Sequence, residues 1–230
     1  MNRRGAAEGN AGRTRSAIAP DTGRNAGRGA EGVASAASSC GDATGPGQGL
    51  IERMIARENL NLAWKKVRAN KGAPGVDGLD IEATQDVLRK DWPRIEAQLL
   101  AGTYRPAPVR RVEIPKASGG TRKLGVPTVM DRFIQQALLQ VLAALLEPQF
   151  SAHSYGFRPG RSAHQAVLAA REYQRQGKRW VVDLDLASFF DEVDHDLLIA
   201  RVKRRVKDVR AIQLVRAYLN AGVMLGGLVQ

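Results

Sequence analysis

The chain has 230 residues, 43% of them hydrophobic, which is enough for one ordinary core or for part of a larger one. With 35 basic against 23 acidic residues its formal net charge is +12, a field that attracts polyanions and makes nucleic acid the first partner to consider. A single cysteine, Cys40, excludes an internal disulfide and a cysteine metal cluster; the opening MNRRGAAEGNAGRTRSA lacks the apolar run of a signal peptide, and no uninterrupted apolar stretch reaches membrane-spanning length, so a soluble cytoplasmic protein is expected.

Residues 1–49 hold 11 of the 24 glycines and no aromatic residue, so folding them costs backbone entropy with little burial in return. They are predicted to be a disordered Gly/Arg-rich tail. Six arginines against four acids leave the tail at +2, which puts +10 on residues 50–230. Next, IERMIARENLNLAWKKVR places Ile51, Met54, Ile55, Leu62, Trp64 and Val67 at spacings suited to one or two short amphipathic helices. NKGAPGVDG ends them with turn-forming Gly72, Pro74, Gly75 and Gly78. IEATQDVLRKDWPRIEAQLLAG reads as further helix, interrupted near Pro93 and closed by Gly102.

PVRRVEIPKASGGTRKLGVP predicts a hairpin of two strands, Val109 to Ile114 and Lys123 to Val126, joined through ASGG. It should hold Arg110, Arg111, Lys116, Arg122 and Lys123 close together, either as a phosphate-binding cluster or as a sheet edge protected by charge. MDRFIQQALLQVLAALLEPQF then shows a wide apolar face at helical period, ended by Pro148. After the turn-rich SAHSYGFRPGRS come a helix over about Ala163 to Gln176, a strand over Trp180 to Leu186, and a helical region from roughly Asp196 to Asn220. His153, His164 and His195 show no metal-ligand spacing, and His195 is expected to cap or bridge the start of the helix it precedes.

The strand reading of WVVDLDLASFFDEVDHDLL sets Asp183 and Asp185 on one face and Val182, Leu184 and Leu186 on the other. Neighbouring carboxylates repel and are costly to bury, so a positive group is expected beside them. Two candidates stand: a divalent cation such as magnesium, or an arginine such as Arg158 for one acid with the other solvated at a strand end.

Four segments, NKGAPGVDG, YRPAPVRRVEIPKASGGTRKLGVPTVMDRFIQQAL, SAHSYGFRPGRSAHQAV and VVDLDLASFFDEVDHDLL, resemble in content and order the N-terminal blocks of bacterial group II intron reverse transcriptase/maturase proteins, over about Leu60 to Leu219. The resemblance implies an α+β fold, the fingers and partial palm of a right-hand polymerase, with N-terminal helices and fingers over 50–136 and partial palm over 137–230. It implies RNA-directed DNA synthesis with magnesium at a two-ion site, and a maturase role on intron RNA. Its partners are then an intron RNA template, a DNA primer and deoxynucleoside triphosphates. Asp185 matches the first catalytic aspartate, in a D-x-x-x-x-F arrangement, with the backbone carbonyl of Leu186 as a supporting metal ligand; Asp183 falls outside it and is read as structural or supporting. Phe190 matches the aromatic gate that crowds a 2′-hydroxyl, one of Phe189 and Phe190 serving as core.

Lys116 and Arg122 match the positions that grip the incoming triphosphate, where a guanidinium fork can neutralise developing charge. Arg110, Arg111 and Lys123 are expected to contact template or intron RNA; Tyr155, Phe157, Arg158 and Arg161 match the segment beside template and primer, with packing against the palm as the other reading of the two aromatics. Complete members continue into a glycine- and glutamine-bearing block, a Tyr-x-Asp-Asp turn and a thumb. This sequence ends at NAGVMLGGLVQ, so the expectation is a truncated chain, inactive in nucleotide transfer by itself, with an exposed apolar face on the helix at Met130 to Leu146 and a free sheet edge. A non-catalytic RNA-binding module that assists splicing is the alternative. A retron-type or diversity-generating polymerase is a third reading, against which the wording of the hairpin block weighs.

Overall fold

Helices α1 (Leu50–Ile55) and α2 (Arg57–Ala69) arise where the apolar spacing places them. The buried face of α2 runs through Ala63 and Val67, four residues apart, which turns Leu62 out to solvent, unlike the predicted pattern. The structure, a computed structural model, describes residues 45, 47–115, 119–225, 228 and 229. Nearly all of the predicted tail lies outside these residues, as does Lys116.

Helix α3 (Ile81–Ala101) starts at Asp80, whose carboxylate accepts the Ala83 amide at 2.8 Å, and it stops at Gly102 in the left-handed region. It passes through Pro93 without interruption, contrary to expectation. An interior proline costs a helix about 3 kcal/mol. Here the flanking turns carry Trp92, whose ring meets the edge of Phe133 at 5.9 Å, and the buried Ile95 and Leu99, and this packing offsets the lost hydrogen bond.

The predicted hairpin is present as β1 (Val109–Pro115) and β2 (Thr121–Val126), antiparallel, with Gly119 and Gly120 at positive φ in the turn. Helix α4 (Val129–Leu146) is capped by Thr128 and passes into a 3-10 turn at Pro148. Its length and composition would let it cross a membrane, yet Phe133, Ile134, Ala137, Leu138 and Val141 are buried as core, with α1, α2 and α3 packed on the helix. The expected exposed apolar face on this helix is therefore corrected: neighbouring helices cover most of it, and Leu139 is the large exception.

Helix α5 (Ala163–Arg175) opens on a capping box of Ser162 and Gln165 and buries none of its residues. The single helical region expected over 196–220 is two helices, α6 (His195–Lys203) and α7 (Val209–Leu219). The break is local chemistry: Asp208 caps α7 by accepting the Arg210 amide at 3.0 Å, just as Asp194, rather than the expected His195, caps α6 by accepting the Leu197 amide at 2.9 Å. Beyond Gly222 two strands appear that periodicity did not suggest, β3 (Val223–Leu225) and β4 (Leu228–Val229). The sheet has the order β2-β1-β3-β4, with β3 parallel to β1.

The predicted strand over Trp180 to Leu186 is absent: these residues are extended coil, and among the described residues no backbone hydrogen bond ties 179–187 to another segment. Trp180 is 96% and Leu184 87% exposed. A strand exists by exchanging hydrogen bonds with a neighbour and by covering one face, and the sheet of this molecule does not reach the segment. The apolar exposure foreseen for α4 lies here instead.

One junction between distant segments predicts an acid response. Arg210 forks onto Glu52 at 2.7 and 2.8 Å and also donates to Asp208, which accepts the Ile51 amide at 3.2 Å. The Arg210 hydrogen bonds hold Glu52 below the ordinary carboxylate range. Burial pushes Asp208 up, but Arg210 and the two amides outweigh it, so its carboxyl is also lowered. A depressed carboxyl stabilises the fold above its unfolded pKa and loses that contribution as pH falls through the folded value. The junction should thus be intact at neutral pH and fail beneath about pH 4, the ordinary carboxylate value. Acid-induced unfolding followed by circular dichroism checks this: Arg210→Ala should flatten the descent below that pH, and an unchanged profile would remove the junction as its source.

Candidate nucleotide and nucleic-acid site

Strand register sorts the hairpin cations into two sets. Arg110 pairs with Val126 and Ile114 with Arg122, so Arg110 and Arg122 share a face with Val112 and Leu124. Arg111 pairs with Gly125 and Glu113 with Lys123, placing Arg111 and Lys123 on the opposite face. The single cluster expected from sequence is corrected to two pairs on opposite faces, because side chains alternate along a strand. Arg111 reaches Glu113 at 3.4 Å, while Arg122 and Lys123 are exposed and form no ion pair among the described residues. The Nε atoms of Arg110 and Arg111 are buried without an acceptor among the described residues. Lys116 lies outside the described residues, so its relation to Arg122 is left to proposal.

A group that sequence reasoning passed over supports the base of this hairpin. Asp131 is only 2% exposed. Its carboxylate accepts the hydroxyls of Tyr104 at 2.9 Å, Tyr218 at 3.2 Å and Thr128 at 2.7 Å, and the amide of Ala107 at 3.1 Å. The lead-in to β1, the start of α4 and the end of α7 thus meet on one side chain. Burial, then the Asp131 charge, raises both tyrosines well above their usual range, so they act as fixed donors. The available signal was the spacing Thr128-x-x-Asp131, a helix-start pattern in which Thr128 also accepts the Asp131 amide at 3.0 Å.

NKGAPGVDG packs against the same helix start. A Cβ on Gly75 would stand 2.6 Å from the backbone N and Cα of Thr128, and one on Gly72 would meet the guanidinium of Arg132, which donates to the Ala73 carbonyl at 2.6 Å.

In the turn-rich segment, Arg158 is spent internally. It forks onto Glu147 at 2.7 and 2.9 Å, donates to the carbonyls of Ser151 and Ser154 at 2.6 and 2.9 Å, and lies over the Phe150 ring. Its nearly buried guanidinium organises the loop, and it is not the partner of either strand aspartate that the sequence allowed. Arg161 donates to the Ala152 carbonyl at 3.1 Å and covers Tyr155 at 5.5 Å. Phe157 is fully exposed at φ 55°, free to stack. His153 meets the Tyr173 hydroxyl at 3.1 Å, a surface contact.

Asp185 and Leu186 lie on the exposed coil, and Phe190 lies in the turn that follows it. One carboxylate oxygen of Asp185 accepts the Leu186 amide at 2.9 Å. Phe190 is 88% exposed, with its ring edge against Phe189 at 5.4 Å, so neither phenylalanine is core. Among the described residues no three metal-ligating side chains come together. The donors in this segment, one partly engaged carboxylate with a neighbouring carbonyl and a second aspartate two residues away, suit magnesium in kind but are only part of the oxygen set of a two-ion centre.

The hairpin, the turn-rich segment and the Asp185 segment follow one another along the chain, and most of that stretch falls within a family match. Residues 114–227 match the model of the reverse transcriptase (RNA-dependent DNA polymerase) family. Protein YkfC of Escherichia coli K12 is 38% identical over 187 residues, 79% of this chain and 49% of that protein. The group II intron-encoded protein LtrA of Lactococcus lactis subsp. cremoris is 37% identical over 176 residues, 76% of this chain and 29% of that protein. A partial Cas6-RT-Cas1–Cas2 complex shares the fold with a TM-score of 0.51 at 22% identity, over 78% of this chain and 29% of that one. The fold is accordingly a mixed α/β one of reverse-transcriptase type, and the chain spans about half the length of the E. coli relative and less than a third of the lactococcal one. On these grounds the chain belongs to the group II intron-encoded reverse transcriptase/maturase family, as a partial match to larger relatives.

Proposed function

We propose that this chain supplies the RNA-binding surface and the first part of the nucleotide site of a group II intron reverse transcriptase, with fingers over 50–136 and part of the palm over 137–230. The observation that carries the reading is the family match over residues 114–227, which runs through most of the basic hairpin, the turn segment and the Asp185 coil in one order. In this reading Lys116 and Arg122 hold the triphosphate of an incoming deoxynucleotide. Phe190 selects its sugar. Arg110, Arg111 and Lys123 contact RNA template or intron RNA, and Tyr155, Phe157 and Arg161 lie beside template and DNA primer. Arg158 acts through the loop it holds. Asp185 and the Leu186 carbonyl are the ligands this chain would contribute to magnesium, which would supply Lewis-acid stabilisation of the reacting phosphate once the remaining ligands were present.

The incomplete donor set favours a second reading for the chain acting alone: it binds intron RNA without synthesising DNA. Titration of a structured intron RNA at several salt concentrations, beside primer extension with the same preparation, tests both. Binding should weaken steeply with salt, with a slope of roughly −0.9 per phosphate neutralised on duplex. Asp185→Ala should leave RNA affinity within about twofold, since it removes no cation, and should abolish any primer extension. Absence of RNA binding at low salt defeats the RNA-binding reading; extension that survives Asp185→Ala removes that residue from the site.

A further inference from the structure

The stretch RVKRRVK, residues 201–207, places Arg201, Lys203, Arg204, Arg205 and Lys207 at the end of α6 and in the turn before α7. All five side chains are exposed, while Val206 is buried at 1% and Val202 half-buried. The backbone is pinned as well: the Gly47 carbonyl accepts the amides of Lys207 and Asp208 at 2.9 and 3.0 Å. The cations therefore project from an anchored segment rather than from a loose loop.

No acid of the neighbourhood answers them. Glu52 and Asp208 are engaged by Arg210, and Asp196 by Arg216, whereas none of the five cations forms a salt bridge among the described residues. Lys207 donates to the Lys203 carbonyl at 3.3 Å, which helps close the helix, and one cation suffices for that. The others bring no such bond, and Arg201 and Arg205, four apart over the closing turn of α6, carry like charges at a spacing that is unfavourable on a helical turn. An anchored surface whose positive charge no acid among the described residues opposes is suited to a polyanion in solution.

We infer that residues 201–207 form a second phosphate-binding surface, which takes the sugar-phosphate backbone of structured RNA independently of the β1–β2 hairpin. The inference rests on the RNA-binding reading above and adds a separate contact to it. Helix α7 begins just after this segment and ends shortly before β3, which pairs with the start of β1, so a helix roughly 16 Å long at 1.5 Å per residue lies between the basic segment and the hairpin strand that β3 joins. The two basic surfaces engage different phosphates, and their salt dependences add.

The experiment measures affinity of the full chain for a structured RNA across a salt series by fluorescence anisotropy. One variant carries Arg201→Gln, Lys203→Gln, Arg204→Gln, Arg205→Gln and Lys207→Gln; another carries Arg122→Gln and Lys123→Gln. The first should bind at least tenfold more weakly at low salt, with a slope of log K on log salt shallower by roughly four to five, at about 0.9 per lost contact. It should keep the wild-type circular dichroism and melt no lower, because repulsion is relieved. The hairpin variant should lose its own, smaller share. Should the five-fold variant fail to fold, Arg204→Gln with Arg205→Gln is expected to cut the slope by nearly two. Wild-type binding with unchanged affinity and slope in the folded patch variant overturns the second surface and leaves the RNA-binding reading standing. No binding by the wild type overturns both.

Discussion

Asp131→Ala should lower the free energy of unfolding by about 3–5 kcal/mol, since three neutral donors lose their acceptor at about 1–3 kcal/mol each. The substitution leaves the part-buried hydroxyls of Tyr104 and Tyr218 and the part-buried amide of Ala107 without their shared acceptor. It also loosens the start of α4, because Thr128 donates to the same carboxylate. Urea denaturation of the two proteins measures the difference, and a loss under about 1 kcal/mol would show that the network is not a unit. The cause can be separated from simple loss of volume. Adding Tyr104→Phe and Tyr218→Phe to Asp131→Ala removes the orphaned donors, so the triple variant should recover part of the lost stability, whereas a pure cavity would make the effects accumulate. Because β1 begins just beyond Ala107, the hairpin should show faster amide exchange in Asp131→Ala before the helical core does.

Gly75→Ala should destabilise the fold by about 1–3 kcal/mol, and Gly72→Ala by clearly less, although the two glycines lie in one turn. The added methyl at 75 would stand 2.6 Å from the Thr128 backbone, which is fixed by its role at the start of α4. Relief requires the turn or the helix start to move, and either motion disturbs Asp131. At 72 the obstructing group is the tip of the Arg132 side chain, which can swing away at the cost of its bond to the Ala73 carbonyl. Thermal melts of the two variants rank them directly. Equal effects would mean that space, rather than the rigidity of what occupies it, decides at both positions.

Interactions local in sequence were legible without the tertiary structure. The β1–β2 hairpin follows from branched residues either side of a glycine pair, α2 follows from its amphipathic period, and α4 and α5 follow from their periods and from caps close by in the chain. The family was legible for the same reason, since its signature segments are short and contiguous. What sequence could not resolve depends on partners distant along the chain. Whether Pro93 breaks α3 is decided by Trp92 against Phe133. Whether Arg158 meets nucleic acid or its own loop is decided by Glu147.

The chain by itself determined its net charge, its helical and hairpin segments, the order of its motifs and hence the family to which it belongs, because these depend on composition and on neighbours a few residues away. Tertiary structure decided that the hairpin cations divide between two faces, that Asp131 joins β1, α4 and α7, and that Asp185 stands on an exposed coil. A strand needs hydrogen-bonding neighbours and a buried side chain needs a covering layer, and neither requirement is written in the residues of the segment itself.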